Sequence, residues 1–233
     1  MSGADRLAGY YDSTYAGGDG VVLPTRATAD PRDRYEMCLQ MVGGGTAVLE
    51  VGAGSGTLPL ALRSRYERVV VTELAPTPAA RLRELGFETY LGAIEDGLPL
   101  EPKSFDTVIL NAIVEHLVEP GDTLRALREL LRPGGDLVIT TPNIAKWTRR
   151  IKLLAGRFPS TASRNEGLAT YQGRATDLYD EGHLHYFTYR SLEVILRRAG
   201  LAPVARYGYP GRLARRWPTL WSTDVCVVAR RAT

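Results

Sequence analysis

Cysteine, lysine and histidine are scarce in this sequence, and long apolar runs are absent. The 233 residues include two cysteines, Cys38 and Cys226, which lie far apart and form no CxxC pair. This usage argues against a disulfide framework and against a cysteine zinc site. No run reaches the roughly 18 apolar residues of a membrane helix, and residues 1–20 lack the apolar core of a signal peptide. We therefore expect a cytoplasmic protein that has no membrane partner.

Three histidines are present, at His116, His183 and His185, so any imidazole chemistry must come from these positions. The formal net charge of +3 is small and does not support nucleic acid as a partner. With 44% hydrophobic and 24% charged residues, the composition is typical of one globular domain with a substantial core.

Short apolar runs alternate with helical patterns along most of the chain. We interpret residues 1–30 as an N-terminal arm and residues 31–233 as one domain, which opens with a helix starting at Pro31. The predicted strands span residues 47–51, 68–72, 87–91, 105–110, 136–141, 203–209 and 224–228. Apolar strands separated by helices predict an α/β fold with a doubly wound, parallel sheet.

Residues 143–188 interrupt this alternation and are too long for a plain connection in a compact domain. We interpret them as an inserted lid after the fifth strand. From Ile144 to Asn165 the segment contains no acid but several basic residues, including Arg149 and Arg150. A basic lid would attract an anionic substrate, so both arginines are predicted substrate contacts. A solvated helix face is the alternative interpretation.

A glycine-rich turn follows the first predicted strand. Gly52, Gly54 and Gly56 stand where a strand turns into a helix, and glycines there let the backbone approach a ligand closely. Glu73 stands at the end of the second strand, where an acid can accept both ribose hydroxyls of a bound nucleoside. Together these features indicate a nucleoside site, although a helix cap or a solvated charge is the alternative for Glu73.

Two features distinguish between a nicotinamide dinucleotide and S-adenosylmethionine (SAM) as the nucleoside. The turn departs from the dinucleotide motif G-x-G-x-x-G, because Thr57 stands where the third glycine would be. In addition, Glu50 lies in the strand before the turn. A carboxylate at this place disfavours a pyrophosphate and favours the cationic methionine part of SAM. After the third strand, Ile94 can pack on adenine and Glu95 can accept its exocyclic amine.

The order of these motifs resembles that of class I SAM-dependent methyltransferases. Residues 48–56 resemble the first motif of the family, residues 104–109 its fourth strand, residues 115–120 the segment after it, and residues 131–139 its fifth-strand signature. The resemblance covers about residues 30–142. It implies a Rossmann-like fold with a seven-stranded, mostly parallel sheet whose last strand is antiparallel.

The same resemblance implies which residues line the cofactor site. An aromatic side chain of the N-terminal arm is expected to close over SAM or over its product, S-adenosylhomocysteine. Many relatives have Asp at the position of Ala93, so we expect adenine recognition to shift onto Glu95 or the backbone. The predicted cofactor residues are Tyr11, Glu50, Gly52, Ala53, Gly54, Glu73, Leu74, Ala93, Ile94, Glu95 and Asn111.

A second resemblance concerns the substrate side of the site. Small-molecule methyltransferases related to those of ubiquinone and methionine metabolism often have a Pro-Asn pair after the fifth strand and a His-Leu-x-x-Phe-Thr segment before the next helix. The chain has these patterns at residues 142–143 and 183–188. The resemblance therefore places the methyl acceptor near Asn143 and His183.

Imidazole titrates near neutral pH, which suits a general base that takes a proton from a hydroxyl group. His185 is our first candidate for this base and His116 is the second, with a structural hydrogen bond as the alternative for each. We expect no metal site. The alternative is a metal held by the two later histidines with Asp180 or Glu181.

The sequence thus predicts a SAM-dependent methyltransferase that acts on a small molecule, with an oxygen acceptor favoured over nitrogen or carbon. An anionic, nucleotide or sugar-type metabolite of secondary metabolism fits the basic lid. The chain is expected to be a monomer or a homodimer. Three alternatives stay open: a SAM-binding protein that transfers no methyl group, a nicotinamide oxidoreductase, and a module that docks a partner through the basic lid.

Overall fold

The structure, a computed structural model, describes Gly9, Asp12 and residues 25–97, 99–161 and 180–232. Its strands are β1 (Gly45–Val51), β2 (Tyr66–Glu73), β3 (Glu88–Leu91), β4 (Phe105–Asn111), β5 (Leu131–Pro142), β6 (Leu201–Tyr207) and β7 (Asp224–Arg231). Its helices are α1 (Arg34–Met41), α2 (Thr57–Leu62), α3 (Pro76–Glu84), α4 (Pro120–Leu130), α5 (Trp147–Leu154), α6 (Tyr189–Arg198), α7 (Gly211–Arg216) and α8 (Pro218–Trp221). Short 3-10 turns lie at Ile94–Asp96 and Asp180–Gly182.

All seven strands form one sheet in the order β3-β2-β1-β4-β5-β7-β6. β1 pairs in parallel with β2 and β4, and β7 is antiparallel to both β5 and β6. The predicted Rossmann-like sheet with an antiparallel last strand is therefore confirmed. The chain crosses from one half of the sheet to the other between β1 and β4. Ligands of such sheets bind beyond the carboxyl ends of the strands at this reversal.

The sheet is buried on both faces, as its continuously apolar strands predict. On one face, α4 and α6 contribute Leu124 and Leu192 to a core with Leu49 of β1. On the other face, α1 and α2 contribute Leu39 and Leu58 to a second core. These side chains are at most 2% exposed, so the central strands are held rigidly beneath the predicted site.

The fifth strand begins earlier than the sequence indicates. The Pro-Gly-Gly sequence before Asp136 predicts a turn, whereas β5 starts at Leu131 and runs through it. Leu131 pairs with Phe105 and Asp136 pairs with Thr107, so the register shifts between the two pairs. A bulge of this kind accommodates extra residues without ending a strand.

Two helical features also differ from prediction. α1 starts at Arg34 rather than at Pro31, because the carboxylate of Asp33 caps the helix by accepting the N–H groups of Tyr35 and Glu36. Helices α7 and α8 lie between β6 and β7 and were not predicted.

Of the predicted lid, residues 143–161 and 180–188 are described, and they include α5. The charged residues of α5 at Arg149 and Lys152 are buried, whereas Leu154 is 88% exposed. Most of the predicted arm, including Tyr11, lies outside the described residues. Among the helices that are described, we find none with the length and apolar character to cross a membrane.

Candidate cofactor and acceptor site

The carboxyl ends of β1, β2 and β4 meet at one edge of the sheet, because these strands run in parallel. β1 ends at Val51 before the glycine-rich turn, β2 ends at Glu73, and β4 ends at Asn111. The structure therefore brings together the first-strand, second-strand and fourth-strand residues that the sequence predicts to bind the cofactor.

The glycine-rich turn has a backbone that other residues adopt poorly. Gly52, Gly54 and Gly56 all have positive φ angles, of 70°, 52° and 83°. A Cβ atom on Gly52 would lie 2.3 Å from Cδ1 of Ile113, which follows β4. The turn is thus packed closely against the side chain of Ile113, which would have to move if Gly52 carried a side chain.

Glu73 organises this turn through its carboxylate. One oxygen accepts the N–H of Gly54 at 2.9 Å, and the other accepts those of Leu74 at 2.8 Å and Ala75 at 3.2 Å. Burial raises the pKa of Glu73, and the three hydrogen bonds oppose that rise. Glu73 is therefore held at the predicted nucleoside position, with its carboxylate facing the turn.

Glu50 is the second acid at this edge and is 1% exposed. Its Oε2 atom is buried and accepts no hydrogen bond from the described part of the chain. Burial raises the pKa of Glu50 well above its usual value, and the nearby carboxylate of Glu73 raises it further. A buried acid without a partner is costly, so the site favours a cation beside Glu50.

The other predicted cofactor residues lie around the same edge. Ala53 is buried, and Leu74, Ala93 and Ile94 are half-buried. Asn111 is 9% exposed and accepts the hydroxyl of Thr140 at 2.7 Å.

The carboxylate of Glu95, which we predicted to bind adenine, binds backbone N–H groups in this structure. One of its oxygens accepts the N–H groups of Val118 at 2.9 Å and Glu119 at 3.0 Å. These bonds hold the segment that leads into α4. The role of Glu95 in adenine binding stays a prediction.

Three chemically active side chains come together from two segments of the chain. Glu115 and His116 follow β4, and His183 follows the 3-10 turn at Asp180–Gly182. The possible donor atoms of Glu115, His116 and His183 lie within 4.8 Å of one another. The imidazole rings of His116 and His183 are 4.8 Å apart between centroids, in an edge-to-face arrangement. We call these three residues the acceptor-end cluster.

Hydrogen bonds hold both histidines of the acceptor-end cluster in place. Nδ1 of His116 lies 3.2 Å from the carbonyl oxygen of Gly182, and Nδ1 of His183 lies 2.6 Å from the hydroxyl of Thr161. Asp180 lies behind His183, with 3.6 Å between Nδ1 and Oδ2. Both rings are thus oriented through their Nδ1 atoms.

Burial changes the acidity of groups in this region. It raises the pKa of Glu115 to about 7 and, with the neighbouring His183, lowers the pKa of His116 to about 4. Burial alone would raise the pKa of Asp180, but hydrogen bonds from His183, Ser160 and Thr161 hold it below its usual value. His116 is therefore neutral at pH 7, whereas Asp180 is ionised.

The ring of His185, our first candidate for the base, lies outside the acceptor-end cluster. Its Nε2 atom lies 3.4 Å from the carbonyl oxygen of Val118, and its ring centroid is 6.2 Å from that of Phe187. The structure therefore groups His116 with His183 and with Glu115, a residue that we did not predict to be functional. The signal for Glu115 was an acid next to His116 in the segment after the fourth strand.

The predicted substrate contacts Asn143, Arg149 and Arg150 bind backbone groups in this structure. The Asn143 amide donates to the carbonyl oxygens of Thr219 at 3.0 Å and Ser222 at 3.1 Å. Arg149 donates to Asn143 O at 2.8 Å, and Arg150 donates to Ala145 O at 2.7 Å, before α5. Their substrate roles stay predictions, and these contacts secure the base of the lid region to α8.

Comparison of this chain with known proteins shows the family to which it belongs. A family model described as a methyltransferase domain matches residues 25–206, which is more than half of the chain. The chain therefore belongs to this methyltransferase family. The predicted membership in the methyltransferases is confirmed by this match.

Two curated relatives share part of the chain. It is 33% identical over 131 residues to a ubiquinone biosynthesis O-methyltransferase of Xanthomonas euvesicatoria, covering 54% of each protein. It is 35% identical over 105 residues to the enzyme of the same description from Xylella fastidiosa, covering 42% of this chain and 43% of the relative. The match thus spans about half the length of these relatives.

Solved structures share the fold at low sequence identity. A SAM-dependent methyltransferase from Mesorhizobium loti has a TM-score of 0.62 and 19% identity, over 85% of this chain and 98% of that one. A Burkholderia thailandensis 1,6-didemethyltoxoflavin-N1-methyltransferase, solved with S-adenosylhomocysteine, has a TM-score of 0.58 and 19% identity, over 99% of this chain and 87% of that one.

The residues at the carboxyl edge fit SAM. The buried Oε2 of Glu50, which has no hydrogen-bond partner among the described residues, suits the cationic methionine part. The glycines of the turn lack side chains that would keep a ligand from the backbone. The carboxylate of Glu73 lies where ribose hydroxyls can donate to it. Glu50, Gly52 and Glu73 would therefore hold the cofactor, which supplies an electrophilic methyl group.

Proposed function

We propose that this protein transfers the methyl group of SAM to a hydroxyl oxygen of a small molecule. The observation that carries the proposal is the acceptor-end cluster. Glu115, His116 and His183 bring one carboxylate and two imidazoles together. Two of them follow closely after Ile113, which packs against Gly52 of the glycine-rich turn and accepts the N–H of His116 at 2.9 Å. Such groups are needed when an acceptor must lose a proton, as a hydroxyl does.

In this mechanism the protein positions the acceptor oxygen in line with the methyl group and excludes water. The O–CH₃ bond forms as the S–CH₃ bond breaks, and the hydroxyl proton passes to the acceptor-end cluster. His116 is one proposed recipient, because its ring is held by the carbonyl of Gly182 at 3.2 Å and is neutral at pH 7. His185, our first candidate from the sequence, is the other proposed base, and its Nε2 atom lies 3.4 Å from the carbonyl oxygen of Val118.

The relatives support an oxygen acceptor. Both curated proteins described above are named O-methyltransferases of ubiquinone biosynthesis. The N-methyltransferase from Burkholderia thailandensis shares the fold at 19% identity and does not bear on the acceptor atom.

The chemical class of the acceptor is a further part of the proposal. We retain an anionic metabolite as the expected substrate, because the described part of the segment from 144 to 161 contains no acid. In the described structure, however, Arg149 binds backbone carbonyls, so it contributes charge rather than a direct contact. We also retain residues 143–188 as a lid, and a monomer or homodimer as the assembly.

The test compares matched acceptors with methyl-labelled SAM. The panel contains a phenol, a catechol, the corresponding anilines, and a phosphorylated form of each. We expect methyl ethers as products and higher kcat/KM for the phosphorylated phenols. Methylated amines with no methyl ether would overturn the oxygen assignment, and equal kcat/KM for neutral and phosphorylated acceptors would overturn the anionic preference.

Variants link the reaction to the cluster. Glu115→Gln and His116→Asn should each lower kcat by about 10²- to 10⁴-fold, the range for removing a general base, while SAM binding measured by calorimetry is retained. Glu67→Gln changes an exposed carboxylate on β2 and is the matched control. Tight SAM binding without transfer to any acceptor would favour the non-transferring alternative, and tight NAD binding would favour an oxidoreductase.

A further inference from the structure

Large apolar side chains of α5 and of the segment that joins α7 to α8 are exposed to solvent. Leu154 and Leu153 of α5 are 88% and 65% exposed, and Trp217, between α7 and α8, is 55% exposed. Single exposed apolar residues are common, but a group of them usually marks a surface that contacts another molecule.

Helix α5 places its side chains in the reverse of the usual order. Its charged residues Arg149 and Lys152 are 3% and 4% exposed, while its leucines face solvent. Arg149 donates to the carbonyl oxygens of Asn143 at 2.8 Å and Ser160 at 3.1 Å, so its charge is used inside the protein. A surface helix ordinarily buries its apolar side. The leucines of α5 are therefore available to a second molecule.

Helices α5 and α8 adjoin each other, so their exposed side chains belong to one surface. The rings of Trp147 at the start of α5 and Trp221 at the end of α8 lie 5.8 Å apart between centroids. We call the exposed side chains of residues 150–158 and 212–220 the docking face.

The charges of the docking face are of one sign. Residues 150–158 and 212–220 include five arginines, all of them exposed, and no acid. Asp30, from outside these ranges, pairs with Arg215 at 2.8 Å. A guanidinium group suits the carboxylates of acidic side chains, because its donors form a fixed fork. An open cavity of about 430 Å³ is lined by Arg212, Leu213, Arg215, Arg216 and Trp217.

We infer that the docking face binds an acidic carrier protein, a small helical protein that holds the methyl acceptor on a phosphate-containing arm. Its carboxylates pair with the arginines, and its apolar side chains cover the exposed leucines and Trp217. Arginine and aromatic residues are enriched in the centre of protein interfaces, as they are here.

The position of the docking face accounts for the choice of a carrier protein. Thr161, whose hydroxyl lies 2.6 Å from Nδ1 of His183, follows shortly after residues 150–158 in the chain. A protein on the docking face is therefore beside the acceptor-end cluster, where a flexible arm can deliver the acceptor. This delivery rests on the proposed function, whereas the binding of the carrier protein does not.

Other partners fit the docking face less well. A second copy of this chain, bound across a two-fold axis, would bring arginines against arginines. A bilayer suits one long helix with a continuous apolar stripe, whereas here the apolar side chains come from separate short helices and surround a cavity. Single-stranded nucleic acid is bound by stacking on aromatic rings, whereas leucines predominate on α5.

The test measures the binding of carrier proteins to the full chain by calorimetry. The probes are the acyl and peptidyl carrier proteins of the source organism, each with its phosphopantetheine arm and no acceptor. We expect one of them to bind with one-to-one stoichiometry and micromolar affinity at about 50 mM NaCl. The affinity should fall at least about tenfold at 500 mM NaCl, because salt screens exposed charges.

Variants locate the binding on the docking face. Arg212→Glu and Arg216→Glu should each weaken carrier binding at least about tenfold, because like charges then oppose each other. Leu154→Ser should weaken it at least about fivefold through the loss of apolar burial. Arg198→Glu changes an exposed arginine at the end of α6 and is the matched control, which should leave the affinity unchanged.

Several results would overturn the inference. One is the absence of carrier binding to folded wild type, and another is binding that all three docking-face variants leave unchanged. Phosphatidylglycerol vesicles that bind wild type when carrier proteins do not would assign the face to a membrane. A dimer in sedimentation that is lost in Leu154→Ser would assign it to a second copy. Calorimetry with S-adenosylhomocysteine shows whether each variant is folded.

Failure of this inference and failure of the proposed function give different results. If no carrier protein binds but free phenols are methylated, the docking partner is wrong and the function stands. If a carrier protein binds at the docking face but neither free nor carrier-bound hydroxyls are methylated, the docking stands and the proposed function is wrong.

Discussion

Glu50 allows a direct test of the cofactor site through the stability of the protein. Its carboxylate is 1% exposed, one oxygen has no partner among the described residues, and Glu73 lies nearby. We predict that Glu50→Gln stabilises the ligand-free protein at neutral pH and weakens SAM binding. The two effects have one cause, because the variant removes a buried carboxylate that a bound cation would stabilise.

The sign of the pH dependence follows from the direction of the pKa shift. Burial and Glu73 raise the pKa of Glu50 in the folded protein above its usual value of 4.5. The folded state therefore favours the protonated acid, and this contribution to stability is lost as pH rises from 4.5 through the raised pKa. Wild type should lose stability relative to Glu50→Gln from pH 5 to pH 8.

The magnitude follows from the excess cost of a buried charge over a buried neutral amide, since Gln leaves a polar group at the same place. We take this excess as about 1–3 kcal/mol, which corresponds to a rise in Tm of roughly 2–12 °C for Glu50→Gln in a chain of this size at pH 8. The loss of a hydrogen bond to a charged group, about 1.5–3 kcal/mol, would weaken SAM binding by roughly 10- to 150-fold.

Thermal unfolding at pH 5 and pH 8 measures the first effect, and calorimetry with SAM measures the second. Glu67→Gln removes an exposed carboxylate on β2 and should change neither quantity. A Glu50→Gln protein that is less stable than wild type at pH 8, or that binds SAM with unchanged affinity, would refute the reasoning.

Further predictions concern the turn and the base of the lid region. Glu73→Ala should weaken SAM binding in calorimetry by at least about tenfold, because three N–H groups lose their acceptor; unchanged affinity would contradict this. Gly52→Ala should lower both SAM affinity and Tm, since it combines a positive φ with a 2.3 Å contact to Ile113, and an unaltered Tm would argue against strain. Asn143→Ala should lower the free energy of unfolding in urea by about 2–4 kcal/mol, as buried carbonyls near α8 lose their donor; a loss below 1 kcal/mol would show that its bonds are dispensable.

Local patterns were sufficient to predict most of the sheet. The apolar runs of β1, β2 and β4 differ from the predicted spans by two residues or fewer at each end, because a strand buried on both faces is apolar along its length. The Pro-Gly-Gly sequence in β5 was misleading, since a bulge against β4 absorbs residues that usually end a strand. Helices α7 and α8 were missed because each is too short to show a periodic pattern.

The sequence by itself determined the cofactor half of this protein. Glu50, Gly52 and Glu73 are placed by strand ends and a turn, and parallel strands bring such ends to one edge whatever the rest of the chain does. Only the tertiary structure assembled the proposed acceptor end. It joined Glu115 and His116 to His183, and it buried the charged side of α5, including Arg149. These contacts join residues far apart in sequence, and no local periodicity specifies which side chains meet across such a distance.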